Sequence, residues 1–183
     1  MDKTEARIRL AIDAMGSDLG PSEVLEGVAQ AVDRSPWNTE FVLFGQEEIL
    51  EPLISSHSIL SRSRVEFVHS PEVVGMEEKP IAGIKGKKKS SMSLALQALK
   101  DGEADALLSC GNTGCLMAGG AIKLRTLDGV ERPALCTIWP GRERYFTLLD
   151  AGANPHAKPF HIAQSAVLGS NYARVALGLV RPK

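Results

Sequence analysis

Oxyanion binding is the chemistry for which this chain is best equipped, and the residues that favour it are concentrated in one segment. Four lysines between Lys85 and Lys89, among them Lys87, lead directly into Ser90 and Ser91. Either serine can cap a helix whose apolar residues then recur with helical spacing. The free N–H groups at such a helix start stabilise an exposed anion by up to about 1 kcal/mol. Lysines and helix start together predict a site for a small anion.

Glycine-containing turns follow three of the predicted strands. In a parallel sheet the carboxyl ends of the strands share an edge and ligands bind beyond it, so we expect the turns to lie side by side. Glycine lets backbone N–H groups approach a ligand, while Asp and Asn orient the turn or bind the ligand directly. For any one turn, a tight loop with a capping Asp or Asn remains an alternative. The candidate residues in the turns are Asp13, Gly16, Asp18, Gly111, Asn112, Thr113, Gly114, Asp150 and Asn154.

The sequence lacks the common signatures of nucleotide and metal sites. Ile81 stands where the first glycine of a P-loop would be, and no G-x-G-x-x-G occurs, so we expect no nucleotide cofactor. The three cysteines have no C-x-x-C spacing, and we expect no metal site. Cys110 and Cys115 flank the second turn, but small buried residues are a simpler interpretation than nucleophiles. We assign no role to His156 or His161.

The composition is that of an ordinary globular protein, with 183 residues, 44% of them hydrophobic, and a net charge of −1. A near-neutral chain whose lysine run is too short to line a groove is not expected to bind nucleic acid. The odd number of cysteines is typical of reduced thiols. Without the apolar core of a signal peptide, or a run of about 18 apolar residues, the chain is expected to be cytoplasmic.

Short β-rich segments alternate with helical patterns, which predicts an α/β fold with a mostly parallel sheet. With helices on both faces it would be a doubly wound, three-layer αβα domain that spans residues 1–183. Strands are predicted at Ile8–Ile12, Phe41–Phe44, Val65–Val68, Ala106–Ser109, Ala134–Ile138 and Phe146–Leu149.

Helical periodicity accounts for most of the remaining chain. A weaker helix after Gly45 is expected to be broken by Pro52, and residues 70–89 are expected to form a long irregular loop. The chain ends where another strand is expected, so we expect the C-terminal part of the fold to be missing. Other helices are predicted to begin at Pro21, at the serine pair, near Thr113 and near Pro159.

Motifs along nearly the whole chain resemble those of the phosphate acyltransferases of bacterial phospholipid synthesis. These enzymes make acyl phosphate from acyl-acyl carrier protein and inorganic phosphate. The Gly-Asn-Thr-Gly turn and the Leu-Asp-x-Gly-Ala-Asn segment, following the Ser-Ser-Met helix start in this order, are the most specific. The matching residues are Asp13–Gly16, Asp18, Gly20, Pro21, Glu78–Pro80, Lys87, Ser90–Met92, Ala104–Ala106, Ser109, Gly111–Gly114, Leu116–Ala118, Arg125, Arg132–Ala134, Leu149, Asp150, Gly152–Asn154, Lys158, Pro159, Gln164, Gly169, Tyr172 and Ala173.

The resemblance implies a fold like those of isocitrate and isopropylmalate dehydrogenases and of phosphotransacetylase, of which this chain is the N-terminal portion. It also implies a homodimer, with peripheral association at the inner face of the membrane through the missing C-terminal part. Departures from the family pattern are Ser17 in place of a glycine, Lys85 in place of an arginine, and Cys110 and Cys115 in place of alanines. Lysine keeps the charge at that position but loses the bidentate geometry of arginine.

The residues and the resemblance lead to one mechanistic hypothesis. Lys87, Lys85 and the serine pair bind phosphate, while N–H groups from Asn112 to Gly114 stabilise the oxyanion. Asp13, Asp150 and Asn154 orient lysines and loops, because a bare carboxylate beside phosphate would repel it. Two alternatives stay open: a phosphotransacetylase-like enzyme that uses acyl-CoA, and a non-catalytic fragment or binding module.

Overall fold

The structure is a computed structural model that describes residues 7–34, 38–62 and 65–182. Contacts between residues divide the chain into two compact units, Met1–Arg125 and Thr126–Lys183. The division falls after the fifth helix. That residues 1–183 form a single domain therefore stays a prediction.

The first unit is built around a four-stranded sheet whose described strands are all parallel, in the order β3-β2-β1-β4. The predicted α/β class with a parallel sheet is thus confirmed, and each predicted strand lies within one residue or two of its expected bounds. The strands are β1 (Ile8–Asp13), β2 (Thr39–Gly45), β3 (Val65–His69) and β4 (Ala106–Ser109).

Helices alternate with these strands as a crossover architecture requires, because parallel neighbours cannot be joined by a short turn. Ser90 caps the fourth helix and Asn112 caps the fifth. The helices are α1 (Pro21–Arg34), α2 (Glu47–Ser56), α3 (Pro80–Gly86), α4 (Ser91–Asp101) and α5 (Thr113–Lys123), with a short 3-10 helix at Leu60–Arg62.

Side chains of the strands alternate between the two faces of the sheet, and helices pack against both faces. Leu43 and Ile12 point to a core shared with α1 and α2. Ala11 and Val42, their neighbours in the strands, point to the opposite face and pack against Ala95 of α4. Successive residues of a strand face opposite sides, so burial on both sides requires the near-continuous apolar runs that β1 and β2 have.

Two local expectations were wrong. Pro52 does not break α2, which continues to Ser56. Proline removes the hydrogen bond to the carbonyl of Glu48 and crowds that group, but Glu48 is an exposed residue, while fully buried Leu50 anchors the helix. Residues 70–89 are also not irregular throughout, because α3 begins at Pro80, a residue suited to the first helical position.

The second unit contains a two-stranded sheet and a long helix. The strands β5 (Cys136–Pro140) and β6 (Tyr145–Leu149) pair with each other in antiparallel fashion. Only residues 141–144 separate them, which suffices for a hairpin but not for a parallel crossover. The helix α6 (Pro159–Leu177) begins near Pro159 as predicted.

In the described part of the chain, none of the helices is both long enough and apolar enough to cross a membrane.

Truncation of a core side chain should show how much the sheet depends on its helical cover. We expect Leu43→Ala to lower the free energy of unfolding by about 2–5 kcal/mol, because the fully buried Leu43 side chain would leave a cavity. The matched control Leu19→Ala removes a side chain that is 76% exposed. It should change stability by less than about 0.5 kcal/mol in urea titrations. Equal losses would contradict this core assignment.

Candidate active site

The chain adds β2 and β3 on one side of β1 and then adds β4 on the other side, so the direction in which strands are added changes between β1 and β4. The candidate site begins at the carboxyl ends of these two strands. Asp13 and Ser109 are register partners there. The Ser109 hydroxyl donates to Oδ2 of Asp13 at 2.7 Å and accepts from the N–H of Gly111 at 3.1 Å. Asp13 is buried, and its Oδ1 is buried without a hydrogen-bond partner among the described residues. Through Ser109, Asp13 therefore helps to fix the position of the turn after β4.

The first two glycine turns lie directly against one another, as expected from the sheet. A Cβ atom added to Gly111 would come within 3.0 Å of the Cα and carbonyl oxygen of Gly16. A Cβ atom on Gly16 would collide with Oδ2 of Asp13 and lie 3.1 Å from the Cα of Gly111. Only residues without a side chain allow this approach, which explains why both turns carry glycine.

Asn112 caps α5 and at the same time ties down a distant loop. Its Oδ1 accepts from the N–H of Cys115 at 3.0 Å. Its Nδ2 lies 2.8–3.2 Å from the carbonyl oxygens of Gly75, Met76 and Glu78. The amide is fully used by these contacts, and Asn112 is only 8% exposed. What the turn can offer a ligand is thus its backbone, at exposed Thr113 and half-buried Gly114.

Lys87 is held over the same loop. Its ammonium group donates to the carbonyl oxygen of Val73 at 2.7 Å and to the carboxylate of Glu78. That carboxylate also accepts from the N–H of Gly75 at 2.8 Å. Donation from Lys87 and from Gly75 lowers the pKa of Glu78 below its ordinary value. Glu78 is therefore the residue that joins Lys87 to the segment clamped by Asn112.

The serine pair is buried in the cap of α4. The Ser90 hydroxyl accepts from the N–H of Ser93 and lies 2.9 Å from the carbonyl oxygen of Lys87. The N–H of Ser91 donates to the carbonyl oxygen of Glu72 at 3.2 Å. Both serines are almost fully buried, so neither side chain faces solvent, and the Ser90 hydroxyl caps the helix. Their direct contact with phosphate stays a prediction.

Two other predicted binding residues of the first unit, Asp18 and Lys85, are exposed. Asp18 follows Gly16 in the first turn, and Lys85 lies in the last turn of α3. Both are accessible to a soluble ligand, and a role for either one stays a prediction.

The third turn belongs to the second unit, where Asp150 organises it. One oxygen of Asp150 accepts from the N–H groups of Leu135 and Ala153, and the other accepts from the backbone and the side chain of Asn154. Burial raises the pKa of Asp150, but these hydrogen bonds outweigh it and hold the pKa below its ordinary value. The turn borders a cavity of about 190 Å³ that Arg132 also lines.

Neither Cys115 nor His161 has the surroundings of a nucleophilic site. Burial, and then the charge of Glu78, raise the pKa of the Cys115 thiol, which disfavours the thiolate. His161 is buried at the start of α6, where Nδ1 accepts from the N–H of Lys158 and Nε2 lies 2.9 Å from Glu131. It therefore belongs to the helix cap.

Two residues of this network had received no role from sequence. Ser109 is the last residue of β4, and only its register with Asp13 reveals its contact. Glu78 lies in the loop before α3, and its distance in sequence from Asn112 hides their connection. Both Ser109 and Glu78 were among the matches to the family motifs, and Lys87, nine residues after Glu78, offered a further signal because a carboxylate there can pair with a lysine.

A doubly wound parallel sheet with two glycine turns at its switch point defines the class of ligand-binding α/β domains. The chain belongs to the family described as fatty acid synthesis protein, whose model matches residues 8–183. It is 38% identical over 180 residues to a phosphate acyltransferase of Levilactobacillus brevis. Identity is 42% over 178 residues to that of Nitrobacter hamburgensis and 41% over 174 residues to that of Pseudomonas fluorescens. The resemblance inferred from sequence is thus confirmed.

These alignments cover 96%, 96% and 95% of this chain, but only 50%, 49% and 51% of the respective relatives. The chain therefore spans about half the length of the curated relatives it matches.

A side chain at the meeting point of the two turns should disrupt the site. We expect Gly16→Ala to lower the free energy of unfolding by about 1–3 kcal/mol, because the new Cβ must displace Asp13 or Gly111. Gly27→Ala is the control, since Gly27 is an exposed residue of α1 with open space around it. It should raise stability by up to about 1 kcal/mol in the same urea titrations. A stabilising Gly16→Ala would contradict the close packing.

The Glu78–Lys87 pair should make stability depend on pH. Because the pKa of Glu78 is depressed below 4.5 in the folded state, its stabilising contribution is complete above that value. It is lost as the pH falls through the depressed pKa. We expect the difference in unfolding free energy between the native protein and Glu78→Gln to shrink on acidification below pH 4.5. Urea titrations at stepped pH measure it, and a constant difference would contradict the prediction.

Proposed function

We propose that this chain is part of an enzyme that transfers an acyl group from acyl-acyl carrier protein to inorganic phosphate, forming acyl phosphate for phospholipid synthesis. The names of its relatives support phosphate as the acceptor. One observation carries the proposal to this chain. Glu78 bonds to the Lys87 ammonium through its carboxylate and to Asn112, the cap of α5, through its carbonyl oxygen, so one residue ties a cation to the start of α5.

The proposed reaction requires positioning more than strong acid or base catalysis. A phosphate oxygen attacks the thioester carbonyl carbon, a C–O bond forms, and the C–S bond breaks as the carrier thiolate leaves. Phosphate is already ionised at neutral pH, and a thiolate is a good leaving group. Alignment of the two reactants can lower such a barrier by about 7–11 kcal/mol. The enzyme needs an anchor for phosphate and donors for the oxyanion.

In this proposal, Lys87 anchors phosphate and the first N–H groups of α5 meet the developing oxyanion. Lysine has three ammonium donors, and the bonds to Val73 and Glu78 occupy two of them. The Lys87 side chain is 39% exposed, so the remaining donor is accessible to phosphate. At the oxyanion, one preorganised donor is typically worth about 2.7–4 kcal/mol. Asn112 contributes by holding α5 in place.

The remaining predicted residues have supporting roles. Lys85 raises the local positive charge, Ser90 and Ser91 fix the helix start beside Lys87, and Asp13 braces the turns at Gly16 and Gly111. We further propose that the enzyme is a cytoplasmic homodimer that associates with the inner face of the membrane. The family resemblance is the support for these last features.

Removal of the Lys87 ammonium should impair the use of phosphate. In the protein encoded by the complete reading frame, we expect Lys87→Ala to raise the KM for phosphate about tenfold, the equivalent of about 1.4 kcal/mol. Steady-state formation of acyl phosphate from acyl-acyl carrier protein measures the effect. Lys88→Ala is the matched control, because exposed Lys88 lies next in the chain outside this network. Equal KM values in both variants would remove Lys87 from the site.

The same assay separates the competing functions. Acyl phosphate formed from acyl-CoA but not from the carrier protein would favour the phosphotransacetylase-like reaction. No product from either donor, with a folded protein, would favour a non-catalytic module.

A further inference from the structure

Glu78 connects the two halves of the proposed site, although the reaction chemistry assigns it no step. We propose that Glu78 is a positioning residue for acyl transfer: its carboxylate fixes the Lys87 ammonium, and its main chain is fixed by Asn112, so that one residue sets the phosphate anchor relative to α5. The inference rests on the proposed function, since it assigns phosphate to Lys87.

The Glu78 carboxylate is itself held in place. Glu78 and Gly75 lie at the two ends of a tight turn. The N–H of Gly75 donates to the Glu78 carboxylate at 2.8 Å, and the N–H of Glu78 donates to the carbonyl oxygen of Gly75 at 3.3 Å. The side chain is 28% exposed, so water competes only in part for its oxygens. A carboxylate fixed in this way presents one defined position to a cation.

Lys87 is correspondingly restricted. A free lysine side chain explores many rotamers, and ordering it carries an entropic cost. Its bonds to Val73 and Glu78 meet that cost before any ligand arrives. In this geometry the carboxylate partly offsets the positive charge that phosphate would meet. Glu78 therefore improves the direction of the remaining donor at some expense of electrostatic attraction.

The main chain of Glu78 supplies the second half of the connection. Its carbonyl oxygen accepts from Nδ2 of Asn112 at 3.0 Å. Two residues further along, Pro80 begins α3, and a Cβ atom on Gly114 would lie 2.8 Å from the Pro80 ring. The starts of α3 and α5 are thus in close contact. A shift of Glu78 would move Lys87 or loosen α5.

Kinetics of single and double variants, in the protein encoded by the complete reading frame, test this role. We expect Glu78→Ala to raise the KM for phosphate about tenfold and to leave the KM for the acyl donor within twofold. Glu78→Asp keeps the charge but draws the carboxylate back by one methylene group, and we expect a rise in phosphate KM of threefold or more. With Glu78→Gln, whose amide oxygen can still accept from Gly75 and Lys87, the rise should stay below threefold.

Coupling to Lys87 distinguishes positioning from general support of the fold. In a Lys87→Ala background, Glu78→Ala should change phosphate KM by less than twofold, because the group it positions is gone. The matched control Glu77→Ala alters the exposed neighbour, whose side chain lies outside this network, and should leave both KM values unchanged. Circular dichroism confirms folding, and if Glu78→Ala does not fold, Glu78→Asp takes its place in both backgrounds.

The outcomes separate this inference from the proposed function. If Lys87→Ala raises phosphate KM while Glu78→Ala and Glu78→Asp leave it unchanged, only the positioning role is overturned. The same holds if the Glu78 variants have equal effects with and without Lys87. A normal phosphate KM in Lys87→Ala, or a native protein that forms no acyl phosphate, overturns both.

Discussion

The register between β1 and β4 is the constraint on which the candidate site depends. It pairs Asp13 with Ser109, and from this pair the two turns extend toward each other until Gly16 meets Gly111. A slip by one residue would turn each side chain of β4 to the opposite face of the sheet. The slip would break the contact of Ser109 with Asp13 and would move Leu107 away from the buried cluster that contains Ala11 and Val42. The core and the site are therefore specified by the same alternation of side chains.

Much of the fold could be predicted because local signals and the global architecture agree. Pro21 marks the start of α1, Ser90 caps α4, and continuous apolar runs mark the central strands. The failures occurred where local signals were overridden. Pro52 is tolerated because buried Leu50 holds α2. The alternation of strands and helices predicts mostly parallel strands, but β5 and β6 are antiparallel because their connection is too short for a parallel crossover.

The candidate site could be predicted only in part. The positions of the turns after parallel strands indicated that three turns lie side by side, of which the first two are in contact, and the lysine run indicated an anion site. Side-chain partners were beyond the sequence, because a contact such as that of Asn112 with Met76 joins segments far apart in the chain. The same limitation applied to Ser90, whose type is equally suited to a cap and to a ligand contact. The sequence thus indicated which segments form the site, and the hydrogen bonds of the structure showed what each side chain in those segments does.

The crowded amide of Asn112 also makes the loop sensitive to the identity of a single atom, the side-chain nitrogen. Asparagine side chains hydrolyse slowly to aspartate, which changes an N–H donor into an oxygen acceptor. At Asn112 the new oxygen would face the carbonyl oxygens of Gly75, Met76 and Glu78, and every one of these contacts would become repulsive. Exchange of this one nitrogen for oxygen would thus weaken the attachment of the loop to α5 without any change in the shape of the side chain.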